Sequence, residues 1–382
     1  MFENCPEYSG LKIENYLISM LNLKTISLVT GLLIITALVS GCSVSFQTAD
    51  SQSATDGGLY KTVNGGGVWR QQTLIATVTG APLSFNQANV TAISLDPQDK
   101  TAVYAGAAGG GLLYSYDAGA SWTLAKTLGK RNIADIAVSP RDKCLIYAAS
   151  ENKIFRSNDC SRSWREMYFD NEPKTIIYSL AVDPKDDKII YAGTSRGEVI
   201  VSFDYGESWA ALTRFTEANS AVIKIAINKT NPNNLWAATA AKGVYKSNDR
   251  GKNWSGSAEQ LAEIHARDAV KITDMAVAAS DGKIAIIATK AGLIRTLDGG
   301  NRWQTMELVP PADKTAINAV AIHPSDSNLV YYVTNTSFGS TKDGGKTWIS
   351  KKLPTSRAGL VLTVDPSDPG ILYLGTYLSE KK

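Results

Sequence analysis

Histidine, net charge and long apolar runs are all scarce in this chain of 382 residues. Its two histidines, His265 and His323, lie in unrelated segments, so neither a histidine metal site nor a Ser-His-Asp triad is predicted. The formal net charge is only +3, and no basic stretch is interleaved with aromatic residues, which argues against a nucleic-acid partner. No glycine-rich phosphate loop leads into a helix. We therefore expect no metal ion, no cofactor and no nucleic acid.

The main apolar run is too short to cross a bilayer. Ile26–Val39 follows Lys24 and is about fourteen residues long, which is typical of the apolar core of a signal peptide. The end of this run and the residues after it, Leu38-Val-Ser-Gly-Cys42, resemble a bacterial lipobox, whose cysteine is lipidated after the chain is cut before it. The resemblance implies a lipoprotein signal peptide over residues 1–41, with Met20 as an alternative start. An ordinary signal peptide is the other interpretation.

Residues 42–56 are rich in serine, threonine and glutamine and have little that could pack, so we expect a flexible tether. A lipid on Cys42 would then anchor the protein to a membrane. The expected location is the bacterial cell envelope, either the periplasm or the cell surface.

Seven octapeptides with nearly the same residue types recur along the chain. The first residues of successive copies are 53, 42, 45, 45, 49 and 45 positions apart. Such a period is typical of a supersecondary unit repeated in a propeller or a solenoid. We call each copy an octapeptide turn, and the seven copies are Thr62–Trp69, Ser115–Trp122, Ser157–Trp164, Ser202–Trp209, Ser247–Trp254, Thr296–Trp303 and Thr341–Trp348.

The residue types within the octapeptide predict a tight hairpin turn. Serine or threonine at position one and aspartate at position three can accept backbone N–H bonds, and glycine at position five can adopt φ > 0. Tryptophan at position eight offers a large surface to a neighbouring unit. Asn64 replaces the aspartate of the first copy and Ser161 the glycine of the third. The aspartates and tryptophans are Asp117, Asp159, Asp204, Asp249, Asp298, Asp343, Trp69, Trp122, Trp164, Trp209, Trp254, Trp303 and Trp348.

This octapeptide resembles the Asp-box, S/T-x-D-x-G-x-x-W, and the chain is similar to Asp-box (BNR-type) β-propellers over residues 57–377. The sortilin-type and photosystem-assembly-factor propellers of this kind bind proteins without catalysing a reaction. Sialidases of the class carry a Phe-Arg-Ile-Pro motif that is absent here. Xyloglucan-type hydrolases pair two seven-bladed modules around a cleft. The resemblance therefore favours a binding protein over an enzyme.

Between octapeptides the chain repeats an apolar strand ending at Asp-Pro or a variant, a strand with a central aromatic residue, a turn and a third strand. We predict an all-β, seven-bladed β-propeller of four-stranded antiparallel blades over residues 57–382. The N-terminal segment supplies only the last two strands of a blade and the C-terminal segment only the first two, so one blade is predicted to be split between the chain ends. We expect a monomer. In the long gap after Trp254, a short helix is predicted with Ser257 as N-cap and Gln260 completing a capping box.

Connections between second and third strands, and between fourth and first strands, should share one face, which we call the loop face. The octapeptide turns should lie on the opposite, turn face. The candidates for binding on the loop face are basic: Arg196, Lys242, Lys290, Lys130, Arg131 and Arg214. They predict a scaffold for a protein or for an anionic or glycan polymer. The competing hypothesis is a glycoside hydrolase using loop carboxylates, with Asp170, Glu172 and Glu217 as candidates.

Cys144 and Cys160 are the cysteines that remain after loss of residues 1–41 and lipidation of Cys42. They are expected at the same end of neighbouring strands, where a disulfide is plausible if their Cα atoms lie within about 7 Å. Export would permit oxidation. Two unpaired thiols are the alternative.

Overall fold

The computed structural model describes residues 55–77, 80–215, 220–264, 268–279, 282–308 and 316–378. The signal peptide, Cys42, His265 and Glu217 lie outside these ranges. Within them, no helix combines the length and apolar character of a membrane span.

The described residues form seven four-stranded antiparallel sheets and one two-stranded hairpin. We number the blades 1 to 7 from the split blade. The strands are β1 (Leu59–Thr62) and β2 (Trp69–Gln71) in blade 1, the hairpin β3 (Leu74–Ile75) and β4 (Leu83–Ser84), β5 (Val90–Leu95), β6 (Val103–Ala107), β7 (Gly111–Ser115) and β8 (Thr123–Leu124) in blade 2, β9 (Asp135–Val138), β10 (Ile146–Ser150), β11 (Lys153–Ser157) and β12 (Arg165–Phe169) in blade 3, and β13 (Ile177–Val182), β14 (Ile190–Thr194), β15 (Glu198–Ser202) and β16 (Ala210–Arg214) in blade 4.

The chain continues with β17 (Val222–Ile227), β18 (Leu235–Thr239), β19 (Val244–Ser247) and β20 (Ser255–Gly256) in blade 5, β21 (Ile272–Val277), β22 (Ala285–Thr289), β23 (Gly292–Thr296) and β24 (Gln304–Thr305) in blade 6, β25 (Ile317–His323), β26 (Asp326–Thr334), β27 (Ser337–Thr341) and β28 (Ile349–Lys352) in blade 7, and finally β29 (Ala358–Val364) and β30 (Leu372–Tyr377). The first strand of each blade contacts the first strands of both neighbouring blades, and these contacts close a ring. The seven-bladed propeller is therefore confirmed.

Blade 1 is split between the two ends of the chain, as predicted. Its strand order is β2-β1-β30-β29, and β1 pairs with β30 so that Leu59 faces Gly375 and Thr62 faces Leu372. The pairing leaves β1 and β30 each with two neighbours, so neither presents an open edge. Closure of the ring thus depends on contact between the first and the last described strands.

Each octapeptide turn is held by hydrogen bonds from within. In blade 4, Ser202 Oγ donates to Asp204 Oδ1 (2.8 Å), and Gly206 N donates to Ser202 Oγ (2.7 Å). Ser208 donates to Asp204 through both its Oγ (2.6 Å) and its N (2.9 Å), and these bonds lower the pKa of Asp204 to about 2. Position five has φ > 0 in every copy, as predicted for its glycine, and position four also has φ > 0 in every copy.

The octapeptide tryptophans pack between blades, as predicted. Trp69 meets Phe338 of blade 7 edge-on at 5.4 Å, and Trp254 meets Phe215 at 5.4 Å. The second-strand aromatic residues are almost fully buried, and Trp236 occupies the position that tyrosine holds in five other blades. Burial of these large rings supplies the contacts that join each blade to the next.

The two segments that break the repeat carry extra structure. The hairpin of β3 and β4 occupies the first, and helix α1 (Ala258–Glu263) occupies the second. The predicted capping box is wrong. Ser257 precedes α1, but its Oγ accepts a hydrogen bond from Val244 N (3.0 Å), and Gln260 Oε1 has no hydrogen-bond partner among the described residues. Ser257 Oγ is thus bonded to the third strand of blade 5 and does not cap the helix.

Candidate functional site

Arg196, one of the basic candidates predicted to bind a partner on the loop face, is held by two carboxylates. Its Nη2 lies 2.8 Å from Asp170 Oδ2 and 2.8 Å from Glu198 Oε2, and its Nε donates to Glu198 at 3.1 Å. Arg214 also approaches Glu198, at 3.8 Å. The positive charges of two basic candidates on the loop face are therefore compensated by carboxylates of the protein itself.

The other four candidates differ in how they are held. Arg131 is half-buried, donates from Nε to Leu128 O (2.7 Å) and stacks its guanidinium 4.4 Å from the ring of Phe155. Lys130, Lys242 and Lys290 are exposed. Lys242 and Lys290 lie in equivalent turns between second and third strands, but Arg196 does not complete a free ring with them because Asp170 and Glu198 hold it.

Asp170 is buried and fully engaged, with 4% of its side chain exposed. Its Oδ1 accepts from Glu172 N (2.9 Å) and from Thr175 Oγ1 (3.2 Å), and its Oδ2 accepts from Tyr168 OH (3.1 Å) as well as from Arg196. A carboxylate with these partners organises the loop. Asp170 is thus poorly placed to act as the acid or nucleophile that the hydrolase hypothesis assigned to it, whereas Glu172 is exposed.

A hollow of about 470 Å³ lies beside this network, lined by Tyr168, Phe169, Asp170, Asn171, Glu172 and Arg196. It belongs to the connection between the outermost strand β12 and the innermost strand β13. Ile176 in this connection donates from its N to Ser195 Oγ (3.0 Å) and accepts from Ser195 N (2.8 Å), so the turn that carries Arg196 is tied to it.

Three large apolar side chains are exposed along the same connection: Phe169 (49%), Ile176 (38%) and Tyr178 (36%). We call them the radial strip, because Phe169 ends the outermost strand of blade 3 and Tyr178 lies in the innermost strand of blade 4. On the turn face, Tyr116, Phe203 and Leu297 are exposed singly in separate blades, and the exposed pair Val63 and Val68 in the first octapeptide turn is aliphatic. The radial strip is therefore a local concentration of apolar surface beside a fixed arginine.

A second cavity, of about 970 Å³, is the central channel, lined by the seven first strands. It contains Asp135, Lys224 and Asp274 from blades 3, 5 and 6. Burial raises the pKa of both aspartates, which Lys224 partly opposes. Burial by itself would lower the pKa of Lys224, but the two carboxylates outweigh it, so the net shift is upward.

Sequence reasoning missed this channel cluster, although a signal for it was present. When the first strands are aligned on their Asp-Pro turns, Asp135, Lys224 and Asp274 fall at the same position of the repeat, four residues before the turn position. A charged residue at that aligned position, within an otherwise apolar first strand, is the sequence signal for a side chain that faces the channel. Only closure of the ring brings the three charges into one channel.

The structure places Cys144 beside Cys160, with Cα atoms 3.9 Å apart, within the distance that the predicted disulfide needs. Cys160 N also donates to Cys144 O (3.3 Å). The same backbone contact recurs elsewhere, for example from Tyr205 N to Lys188 O and from Arg250 N to Asn233 O. The hairpin geometry of every blade thus brings these two positions together, and only blade 3 has cysteine at both.

The Asp-Pro turns on the turn face have a backbone role. Asp96 Oδ1 accepts from Gln98 N (2.7 Å) and Asp99 N (3.1 Å), and Asp183 Oδ1 accepts from Lys185 N (2.8 Å). Among the described residues, no group of three or more histidine, cysteine or acidic side chains could hold a metal ion.

No family model and no curated protein sequence matches the chain. Solved structures do resemble it. The GH74 xyloglucanase from Xanthomonas campestris is 19% identical with a TM-score of 0.63, over 76% of this chain and 51% of that one. YCF48 from Cyanidioschyzon merolae is 14% identical with a TM-score of 0.58, over 79% of this chain and 97% of that one. The GH74 enzyme from Niastella koreensis is 15% identical with a TM-score of 0.60, over 80% and 53%.

A further similar structure is YCF48 bound to a D1 peptide, which is 15% identical with a TM-score of 0.56 over 77% of this chain. At these identities the likeness shows the propeller fold alone. The chain spans about half the length of the GH74 enzymes, at 51% and 53%, but nearly all of YCF48, at 97%.

Proposed function

We propose that the protein is an exported, lipid-anchored scaffold whose loop face binds a protein partner. The observation that carries this proposal is the radial strip, where Phe169, Ile176 and Tyr178 are exposed next to Arg196. Aromatic residues and arginine dominate the energetics of protein interfaces, particularly where they are held in place before binding. Asp170 and Glu198 hold Arg196 in this way.

Two further points favour a protein over an anionic polymer. Glu198 and Asp170 compensate Arg196, and Glu198 also approaches Arg214, which weakens the basic ring that a polyanion would require. In addition, a propeller of similar fold, YCF48, has been solved with a bound peptide. Lipidation of Cys42 would place such a scaffold at a membrane, where it could hold a partner during assembly.

The binding proposal is tested by capture from solubilised membranes with a photo-crosslinker on the loop face. The double variant Phe169→Ala, Tyr178→Ala should capture at least tenfold less partner than the wild type, because two such anchors contribute on the order of 1–2 kcal/mol each to binding. The matched control is Phe203→Ala, Leu297→Ala, which removes comparable exposed side chains from the turn face. Equal capture by both double variants would overturn the proposal. Loss of capture in the double variant Lys242→Gln, Lys290→Gln, but not in Phe169→Ala, Tyr178→Ala, would indicate a polyanionic partner.

The lipid anchor has its own test. Metabolic labelling with a radioactive fatty acid should mark the wild-type protein and not the Cys42→Ser variant. Labelling that survives this substitution would contradict anchoring through Cys42.

Glycoside hydrolysis remains the competing proposal, supported by the fold likeness to GH74 enzymes and by Glu172, which lines the loop-face hollow. Because Asp170 is engaged by Arg196, the second carboxylate would be Glu217. Release of reducing sugar from xyloglucan by the wild type, abolished in Glu172→Gln, would favour this function over the scaffold.

A further inference from the structure

Six of the seven first strands have a β-bulge near the loop-face end of the channel, and β9 of blade 3 has none. The residue directly after the bulge, or aligned with it in blade 3, occupies one level of the ring of first strands, and five of these seven residues line the channel, Ser179 and Ala319 being buried behind it. Going round the ring, this level consists of Ala92, Asp135, Ser179, Lys224, Asp274, Ala319 and Val361. Polar residues thus occupy four consecutive blades, and small apolar residues occupy the other three. We call this ring of seven the channel level.

Three of the four polar residues join neighbouring blades. Asp135 Oδ2 accepts from Leu180 N (2.8 Å), Ser179 Oγ accepts from Ile225 N (2.9 Å), and Asp274 Oδ2 accepts from Val320 N (3.0 Å). Each of these bonds satisfies a backbone N–H of the next first strand beside its bulge. An acceptor side chain at the channel level therefore has a structural explanation.

Lys224 has no such explanation. An ammonium cannot accept a hydrogen bond, and the Met275 N–H that would need one is bonded by Asp274 Oδ1 (2.8 Å). Among the described residues Lys224 forms no hydrogen bond and no salt bridge within 4.0 Å, although Asp135 and Asp274 interact with it electrostatically. It presents three charged donors in a partly enclosed lumen, where the two carboxylates compensate its charge but accept none of its hydrogen bonds. The ammonium is thus available to a ligand.

The surroundings narrow the chemistry of that ligand. One lysine and two aspartates give the channel level a net charge of −1, so a simple anion on Lys224 is opposed by two carboxylates and a simple cation is opposed by Lys224. A ligand carrying both signs meets complementary charge at both ends. Tyr178 stands between the blades of Asp135 and Lys224 and lines the same cavity, so its ring can lie beside a bound ammonium.

We propose that the loop-face end of the channel binds a zwitterion of the amino-acid or short-peptide class. The ligand carboxylate contacts Lys224, and its ammonium contacts Asp135 beside Tyr178. Val361 and Ala92 line the apolar side of the channel, which receives the ligand's side chain. The cavity of about 970 Å³ has room for more than a single amino acid. The site shares Tyr178 with the radial strip but depends on Lys224 and Asp135, which the proposed scaffold function does not use, so this inference goes beyond that function.

Titration calorimetry of the purified propeller against the standard L-amino acids and their homodipeptides tests the proposal. At least one zwitterion should bind saturably, and Lys224→Met should weaken that binding at least tenfold, because truncating one member of an enclosed charge pair removes its attraction and leaves the partner unpaired. Lys229→Met is the matched control. Lys229 also lines the channel but lies beyond the end of β17, at the turn-face end, so its loss should leave binding unchanged.

Blocked ligands test the two charges without altering the protein. The N-acetyl and the C-terminal amide derivatives of the bound zwitterion should each bind at least tenfold more weakly. If Lys224→Met fails to fold, Lys224→Arg keeps the charge and should keep the preference for the unblocked ligand. Absence of saturable binding by every zwitterion, or equal binding of blocked and unblocked forms, would overturn the proposal.

Discussion

Ser161 occupies a position at which the other six octapeptide turns carry glycine. Its φ is +67°, a left-handed conformation that costs a residue with a side chain about 1–2 kcal/mol. The side chain is buried, and its Oγ has no hydrogen-bond partner among the described residues. Both features oppose folding at this one residue.

The substitution Ser161→Gly should therefore stabilise the protein by about 1 kcal/mol, after the greater entropy of glycine in the unfolded chain is subtracted. Urea denaturation followed by tryptophan fluorescence measures the change. The control is Ser163→Gly in the same turn, which deletes the bond from Ser163 Oγ to Asp159 Oδ2 (2.5 Å) and should destabilise the protein. A Ser161→Gly variant no more stable than the wild type would contradict the strain argument.

The bridge between Cys144 and Cys160 is the second prediction at the scale of residues. Its loop of about fifteen residues should contribute roughly 3 kcal/mol in the chain-entropy model, at the blade whose turn lacks its glycine. Mass spectrometry of the tryptic peptides, with and without reduction, should show the two cysteines linked. Alkylation of both in the denatured, unreduced protein would show two free thiols and refute the bridge.

At the scale of the element, six of the seven blades carry a buried aromatic residue at one position of the second strand, and blade 6 has Ile286 there instead. Tyr147 OH donates to Tyr205 O of the following blade at 3.0 Å, and Tyr373 OH donates to Ala118 O at 3.1 Å. Tyr191 occupies the same position in blade 4, but its buried OH has no hydrogen-bond partner among the described residues. Equivalent positions in the repeat therefore differ in what the hydroxyl does.

We expect Tyr147→Phe to destabilise the protein by about 1 kcal/mol, because a buried inter-blade hydrogen bond is lost. Tyr191→Phe should be neutral or stabilising, since it removes a buried hydroxyl without a partner. Thermal melts of the two variants, run side by side, measure the difference. Equal losses in both would mean that the ring, and not the hydroxyl, accounts for the effect at this position.

At the scale of the whole molecule, the pairing of β1 with β30 closes the ring. Deleting the chain after Pro366 removes β30, which exposes an edge of β1 and separates blade 1 into two fragments. The truncated protein should lose its cooperative thermal transition. Deleting residues 379–382 instead leaves β30 complete and should leave the melt unchanged. A truncated protein with the wild-type transition would contradict closure by this blade.

The sequence by itself determined the fold of this protein. The spacing of the octapeptides, their turn chemistry and the complementary fragments at the two chain ends are local signals, and each blade repeats them because each turn is built within eight residues. For the same reason the sequence predicted the strand positions and the packing of Trp69 and Trp254. The capping box at Ser257 failed because a neighbouring strand, remote from the local pattern, competed for the same oxygen.

Only the tertiary structure decided which charges are free. Arg196 looked like a free cation because the sequence does not show that Asp170, from the preceding blade, is buried against it. Lys224 was not identified from the sequence because ring closure alone brings it into one lumen with Asp135 and Asp274. Electrostatic interactions act through space between residues far apart in the chain, whereas turn and strand preferences act between near neighbours. The local rules thus specify the propeller, and its closure assembles the candidate sites.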